Sequence, residues 1–319
     1  MLKFNRNYIL EIECGDGSLL RIGPHSDITI QFSVHFELLS TANHGSIRIY
    51  NLAEQTRNKI YHDAFDIGSD SVKFVKLQAG YGDKLYTILY GNIAEASSFR
   101  EEGSVDFVTE IHTHDWSPPY TNATINKTLD GPISQQDVIK HLIGNLGQSS
   151  SPGVVKGCVS TLFNHQYTRA RVLSGMTWDK LKDETNNQCF IINGVVHCLL
   201  DNDYILTPDP YFTVSSDTGL LTTPKKSGKI LSWEMLFEPS LIPGQAIRLN
   251  STSEGMYNTQ PFKSTGASFY KIYKLSHTGI ISSAVSGKCK THVSVASSYK
   301  WNAAVPGTFT ANPAALGDS

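Results

Sequence analysis

The 319-residue chain lacks most of the features that announce a chemistry. No apolar run approaches the length of a bilayer span. Met1-Leu-Lys-Phe-Asn-Arg-Asn-Tyr8 has no continuous apolar core of the kind that directs secretion, so the sequence reads as a cytoplasmic product that leaves only inside something larger. Charge is scarce: 18% of residues are charged, against about a quarter in typical domains. The net charge is −2 and Lys and Arg form no cluster, which excludes a chain whose main task is to grip nucleic acid, because phosphate neutralisation needs grouped cations. The five cysteines (14, 158, 189, 198 and 289) come without Cys-x-x-Cys spacing and read as reduced thiols in strand cores. A structural disulfide between Cys189 and Cys198 is not expected in a reducing compartment. Neither a P-loop nor a Gly-x-Ser-x-Gly elbow occurs.

What is present is alternation. In Ile28-Thr-Ile-Gln-Phe-Ser-Val-His-Phe36 every second residue is apolar, the period of a strand with one dry and one wet face. Ser46-Ile-Arg-Ile-Tyr50 repeats the pattern. Asn51-Leu-Ala-Glu54 then reads as an N-cap with a carboxylate three residues on, opening a short lid helix near 52–65 whose face runs through Leu52, Thr56, Ile60 and Ala64. Upstream, Tyr8 to Glu13 and Leu19 to Ile22 bracket the turn Gly15-Asp-Gly17. Downstream, Val72–Ala79, Leu85–Tyr90, Ile93–Ala96 and Val105–Ile111 read as short strands, with Gly91 as a separator. Strands at this spacing imply an antiparallel barrel or sandwich over residues 1–117.

The texture then changes. Ser134 and Asp137 make an N-cap pair ahead of the stripe Val138, Ile139, Leu142, Ile143 and Leu146, with Gly147 placed as a C-cap. A second helix is expected over Thr177 to Asn186, packing through Met176, Trp178, Leu181 and Thr185. Cys189–Ile192 and Val195–Leu200 flank Asn193-Gly194, a strong hairpin signal. Residues 118–208 therefore read as a small α+β insert, within which Val154–Leu173 shows no pattern. Alternation returns at Lys229–Phe237, Gln245–Leu249, Phe269–His277 and Lys288–Val295, giving a second barrel over 209–298. Residues 299–319 read as an extended tail.

Candidate chemistry is thin. His112-Thr-His114 places two imidazoles on one strand face with Asp115 behind them, a conceivable metal site; but the carboxylate falls one residue short of His-x-His-x-Asp spacing and no third ligand is evident. Gly15-x-Gly17 and Gly80-x-Gly82 are turns without a following helix to hold a phosphate. Asn122, Asn126 and Asn250 head glycosylation triplets that lack a secretory route. Glu101-Glu102 and the pair Asp201 and Asp203 are turn carboxylates, read as solvated rather than catalytic. Lys225-Lys226 and Arg169/Arg171 read as interface or solvent charges. No catalytic, cofactor-binding or metal-binding residue is expected, and the chain reads as a non-enzyme.

In combination, Ile47-Arg-Ile-Tyr-Asn-Leu52 with Thr56-Arg57 and Ile60, Leu77-Gln-Ala-Gly-Tyr81, Gly91-Asn-Ile93 and Thr109-Glu-Ile111 resemble the first half of the baseplate hub proteins of contractile-tail bacteriophages. Gly219-Leu-Leu-Thr-Thr-Pro224, Leu241 to Leu249 with Ser251, and Tyr270 to Gly279 resemble its later strands. The resemblance implies a mainly β fold of two tail-tube-like antiparallel β-barrel domains with a middle helix/hairpin domain. It further implies a homotrimer whose six barrels form a pseudo-sixfold ring, joining the hexameric tail tube protein to the trimeric central spike protein. Tape measure and baseplate wedge proteins are further partners it implies; DNA would pass only in transit, without membrane insertion. The expected place is the virion tail baseplate, reached from the host cytoplasm during assembly. The competing readings are a carbohydrate-binding receptor module, which needs Tyr and Trp exposed together, and a tail-associated cell-wall hydrolase.

Overall fold

The computed structural model describes residues 5–39, 43–60, 73–115, 122–149, 156–201, 203–206, 211–250, 255–257, 260–262, 268–283, 287–301 and 309–311. The chain is mainly β with a small helical part, as its alternation predicts. The first hairpin forms as expected, β1 (Arg6–Glu13) against β2 (Leu19–Ile22), with Leu10 opposite Ile22. Next come β3 (Ile30–Glu37), β4 (His44–Tyr50), β5 (Phe74–Tyr81), β6 (Lys84–Arg100) and β7 (Phe107–His114). Along β3 buried and half-buried residues alternate without a break, because Ile30, Phe32, Val34 and Phe36 all face the core.

Three local expectations fail here. Gly91 does not separate two strands; β6 runs through it for 17 residues. A Cβ at position 91 would lie 2.6 Å from the His114 carbonyl oxygen, so the glycine is required by close backbone approach. Asn51 does not cap the helix α1 (Glu54–Ile60). It sits in the left-handed region (φ 56°), its Oδ1 accepting the Phe107 N–H and its Nδ2 donating to Asp106, so it fastens the end of β4 to the start of β7. Ala53 carries the helix start instead, its carbonyl accepting from Thr56 and Arg57. Val105 is exposed and precedes β7 rather than opening it. Leu52 and Ile60 are buried as expected, and Ala64 lies outside the described residues.

The middle of the chain holds β8 (Thr124–Leu129), β9 (Ile133–Ser134), the helix α2 (Gln135–Ser149), β10 (Lys156–Val159), β11 (Gln166–Tyr167), β12 (Arg171–Met176), the helix α3 (Thr177–Thr185), β13 (Cys189–Ile192) and β14 (Val195–Cys198). Ser134 Oγ accepts the Asp137 N–H and donates to its carboxylate, the predicted cap. The stripe from Val138 to Leu146 is buried, but α2 continues past Gly147 to Ser149. Asn186 ends α3 in the left-handed region, and Asn193-Gly194, both at positive φ, turns the β13–β14 hairpin. The described part of the unpatterned stretch contributes β10, β11 and the start of β12: β12 pairs with β8, and β10 adds in parallel to β14.

β15 (Tyr204–Leu206), β16 (Phe212–Val214), β17 (Lys225–Ser227), β18 (Ile230–Leu236), β19 (Ala246–Leu249), β20 (Gly255–Tyr257), β21 (Gln260–Phe262), β22 (Ser268–Ile281), β23 (Cys289–Trp301) and β24 (Phe309–Ala311) complete the chain. Part of the expected tail is strand: β23 reaches Trp301, and the backbone of β24 pairs in parallel with β15.

The main ladder runs through both ends of the chain in the order β17-β18-β23-β22-β3-β4-β7-β6-β5-β1-β2, with β19 and then β16 branching from β22. The seam is β3 against β22, antiparallel from Glu37 opposite Lys274 to Ile30 opposite Ile281. β22 serves two neighbours along one edge, β19 through Ser268–Lys271 and β3 beyond it. Three buried apolar clusters lie under these elements. One gathers Leu10, Phe32, Ile47, Leu77 and Ile111 with Phe237; a second gathers Val138, Leu142, Trp178 and Ile191; a third gathers Trp233, Met235, Ile247, Leu275 and Val293.

Two outcomes follow. All five cysteines are free thiols and buried, with burial pushing Cys158 up to about 12 and Cys189 up to about 11. A thiol reagent should therefore label almost none in the native protein and all five in denaturant, and rapid native labelling would contradict this packing. Gly91→Ala should lower stability by roughly 1–3 kcal/mol in denaturant titration.

Candidate assembly surface

Across β18, β23, β22, β3 and β4 the ladder's alternation puts core residues on one side and a largely polar face on the other; at β5–β7 that second face also carries Phe74 and Val108, both buried. Reading the cross-strand partners along one line, Glu234 of β18 lies opposite His292 of β23, then Ser276 of β22, His35 of β3, His44 of β4, His114 of β7 and Asn92 of β6. One continuous row thus crosses seven strands and both ends of the chain. His112 stands one step along the same face, opposite Ser46 and Glu95.

The cations Arg48, Lys274 and Lys290 of this face are each paired with a carboxylate. Arg48 Nε is 2.9 Å from Glu110 and its Nη1 3.2 Å from Glu101; Lys290 Nζ lies 2.7 Å from Glu234; Lys274 Nζ contacts Glu37. His112 Nε2 is 3.8 Å from Glu110. The rings of His35 and His44 stack with centroids 5.1 Å apart. Burial holds His35 below the ordinary imidazole range, and repulsion from His44 and Lys274 adds to it; His114 is lowered by burial and then by His44 and His112.

His112 and His114 therefore share an exposed face, but Asp115 does not join them. It turns inward and is buried, accepting the Asn193 N–H at Oδ2 (3.0 Å) where β7 meets the β13–β14 hairpin. Burial pushes its carboxyl up to about 7, opposed by backbone hydrogen bonds from Asn193 and Gly194. Asn43 completes this junction, accepting the Glu37 N–H and donating to the Ile191 carbonyl. Among the described residues no three His, Cys, Asp or Glu side chains converge on a metal position.

The remaining candidates have structural settings. Gly17 and Gly82 occupy turns at positive φ. Glu101 pairs with Arg48, and Glu102 is exposed. Arg171 pairs with buried Glu184 at 2.9 Å and lies 4.3 Å over the Tyr167 ring; Arg169 is exposed. Asp201 is exposed while Asp203 is buried, its carbonyl accepting from Lys271 Nζ, whose pKa burial lowers to about 8. Asn122, Asn126 and Asn250 are exposed. Lys225 and Lys226 are exposed on β17, the end strand of the ladder. Trp178 and Trp233 are core residues, and Trp116 lies outside the described residues, so the exposed aromatic platform of a sugar site does not form from them. Among the described residues no helix is long and apolar enough to cross a membrane.

The fold aligns with that of a tail protein from Neisseria meningitidis MC58, at 9% identity and TM-score 0.51, over 91% of this chain and 96% of that one. It also aligns with the 43 kDa tail protein of prophage MuSo2 from Shewanella oneidensis, at 7% identity and TM-score 0.55, over 91% and 97% respectively. No family model and no curated protein matches the sequence. The chain thus shares its fold, over nearly its whole length, with two tail proteins.

The buried titratable groups predict the pH response. Asp115 stands at about 7 folded against about 3.9 unfolded, so the folded state keeps a proton the unfolded chain has lost, and stability falls as pH rises through that window. His197 and His277 behave oppositely: burial lowers them to about 3 and about 4, so stability falls as pH drops below the unfolded value of about 6.5. Between pH 4 and pH 8, below the range where Lys271 titrates, thermal melts should peak near pH 6.5. Asp115→Asn should gain on the order of 1–3 kcal/mol relative to wild type between pH 5 and pH 8; an identical pH profile for the two would refute the assignment.

Proposed function

We propose that this chain is a structural, non-enzymatic subunit of a phage tail, acting as the baseplate hub. Three copies form a ring with six β modules around an axial channel, matching a hexameric tail tube on one side and a trimeric central spike on the other. The division into residues 1–117, 118–208, 209–298 and a tail at 299–319 belongs to this reading, with the first and third units as the repeated modules. Its partners are then the tube and spike proteins, with tape measure and wedge proteins around them and DNA in transit. Its place is the virion tail, after assembly in the host cytoplasm.

The observation that carries the reading is the single ladder, whose main path among the described residues ends at two unlike strands, while β16 ends a side branch on β19. β2 stands at one end and β17 at the other, and between them each strand of the path is hydrogen-bonded on both sides. Two unlike edges on one chain favour head-to-tail contacts, which close into rings when the rotation allows. Such closure also covers edges that would otherwise invite uncontrolled pairing. Leu19, 65% exposed on β2, and the lysines of β17 are the residues each edge offers. The fold shared with two tail proteins supports the same reading.

Light scattering on the purified chain should give three times its 35.1 kDa mass, and electron microscopy a threefold ring with a central hole. Leu19→Glu should shift that species toward monomer without lowering the monomer's melting temperature. A particle lacking an axial hole, or a monomer indifferent to tube and spike proteins, defeats the proposal.

A further inference from the structure

The polar face carries five of the chain's eleven histidines: His35, His44, His112, His114 and His292. Four of them stand in a single cross-strand row, reaching from β23 to β7 with only Ser276 of β22 interposed. At about 4.8 Å per strand the row spans roughly 19 Å, a length over which duplex DNA presents about ten phosphates.

The setting makes these imidazoles decide the charge of the face. Its cations are engaged by neighbours: Lys274 with Glu37, Lys290 with Glu234, and Arg48 with Glu110 and Glu101. Glu95 lies opposite His112 on β6, and the other positions along the row and its flanks are Ser33, Ser46, Ser276, Thr278 and Ser294. With neutral imidazoles the face carries balanced or slightly acidic charge. Each proton taken up adds one positive charge with no new carboxylate to cancel it. His44, His112 and His114 are exposed, so these charges face solvent.

We propose that this histidine row is a proton-gated binding surface for the phosphate backbone of duplex DNA, inert near neutral pH and adhesive on mild acidification. The chemistry belongs to the isolated chain; its use in a channel rests on the hub reading above. An imidazole ordinarily takes its proton near pH 6.5, and the lowering of His35 and His114 by burial and by their neighbours moves the onset to the acid side of that. In a channel wall this would let DNA slide freely in a neutral compartment and retard it in an acidic one.

The test is fluorescence anisotropy with a labelled 30-base-pair duplex at pH 7.5 and pH 5.0. Wild type should bind at least about tenfold more tightly at pH 5.0, with a log–log salt slope steeper by about 3, as three added phosphate contacts require. The fourfold variant H35Q/H44Q/H112Q/H114Q, checked for an unchanged melt at pH 7.5, should lose most of that response. The inference is overturned if wild type binds equally at both pH values, or if the fourfold variant keeps the pH response. Ring formation is read separately by light scattering. A ring without acid-dependent binding sinks this inference alone; acid-dependent binding by a chain that never forms a ring upholds it and sinks the hub reading.

Discussion

The structure depends on one constraint, that every strand's backbone N–H and C=O groups find partners. β3 and β22 are each the outer strand of a small β unit, and each would expose a ladder edge if its unit stood alone. Their mutual pairing from Glu37–Lys274 to Ile30–Ile281 removes both edges at once. The apolar consequences follow from the same geometry. Register places Phe32 and Val34 toward one core and leaves Ser33 and His35 on the polar face, and a slip of one residue would exchange them. The ladder therefore fixes the position of the two β units and the composition of the face they share.

The junction with the helical insert obeys a different rule. There apolar contacts, Phe190 and Ile192 of β13 buried with the core of the first β unit and Phe74 of β5 buried with the core of the insert, are joined by polar ones, Asp115 and Asn43 meeting the β13–β14 hairpin and Tyr90 N–H donating to Asn193 Oδ1. The polar contacts set orientation more than they add stability, because each exchanges hydrogen bonds to water for hydrogen bonds to protein. Elsewhere in the interior and at this junction, loss of solvent disfavours the charged forms of the buried ionisable groups Asp115, His197, His277 and Lys271.

What the sequence made legible was whatever is written in neighbouring residues. The alternation of Ile28–Phe36, the buried stripe from Val138 to Leu146 and the Asn193-Gly194 turn all depend on spacing within one element, and each element forms. The features it hid depend on residues far apart. Arg171–Met176 buries only Leu173, so no alternation marks it, and it becomes a strand because Thr124–Leu129 lies beside it. Gly91 resembles a turn glycine until the His114 carbonyl is known to pass against it. Of the five histidines on the polar face only His112 and His114 are visible as sequence neighbours; His35, His44 and His292 join them through register alone. Asp115 looked like their companion and is turned away by the junction it serves.

The seam also dictates an order of events during synthesis. Glu37 and its partner Lys274 are 237 residues apart, so β3 leaves the ribosome roughly 10–50 s before β22 exists at ordinary elongation rates. For that interval an eight-residue strand with four core side chains has one flank unclaimed. The chain's first third must therefore wait, half-finished, for its last quarter, and overcrowded or truncated production should fail by entanglement of nascent chains before any defect in the finished protein is felt.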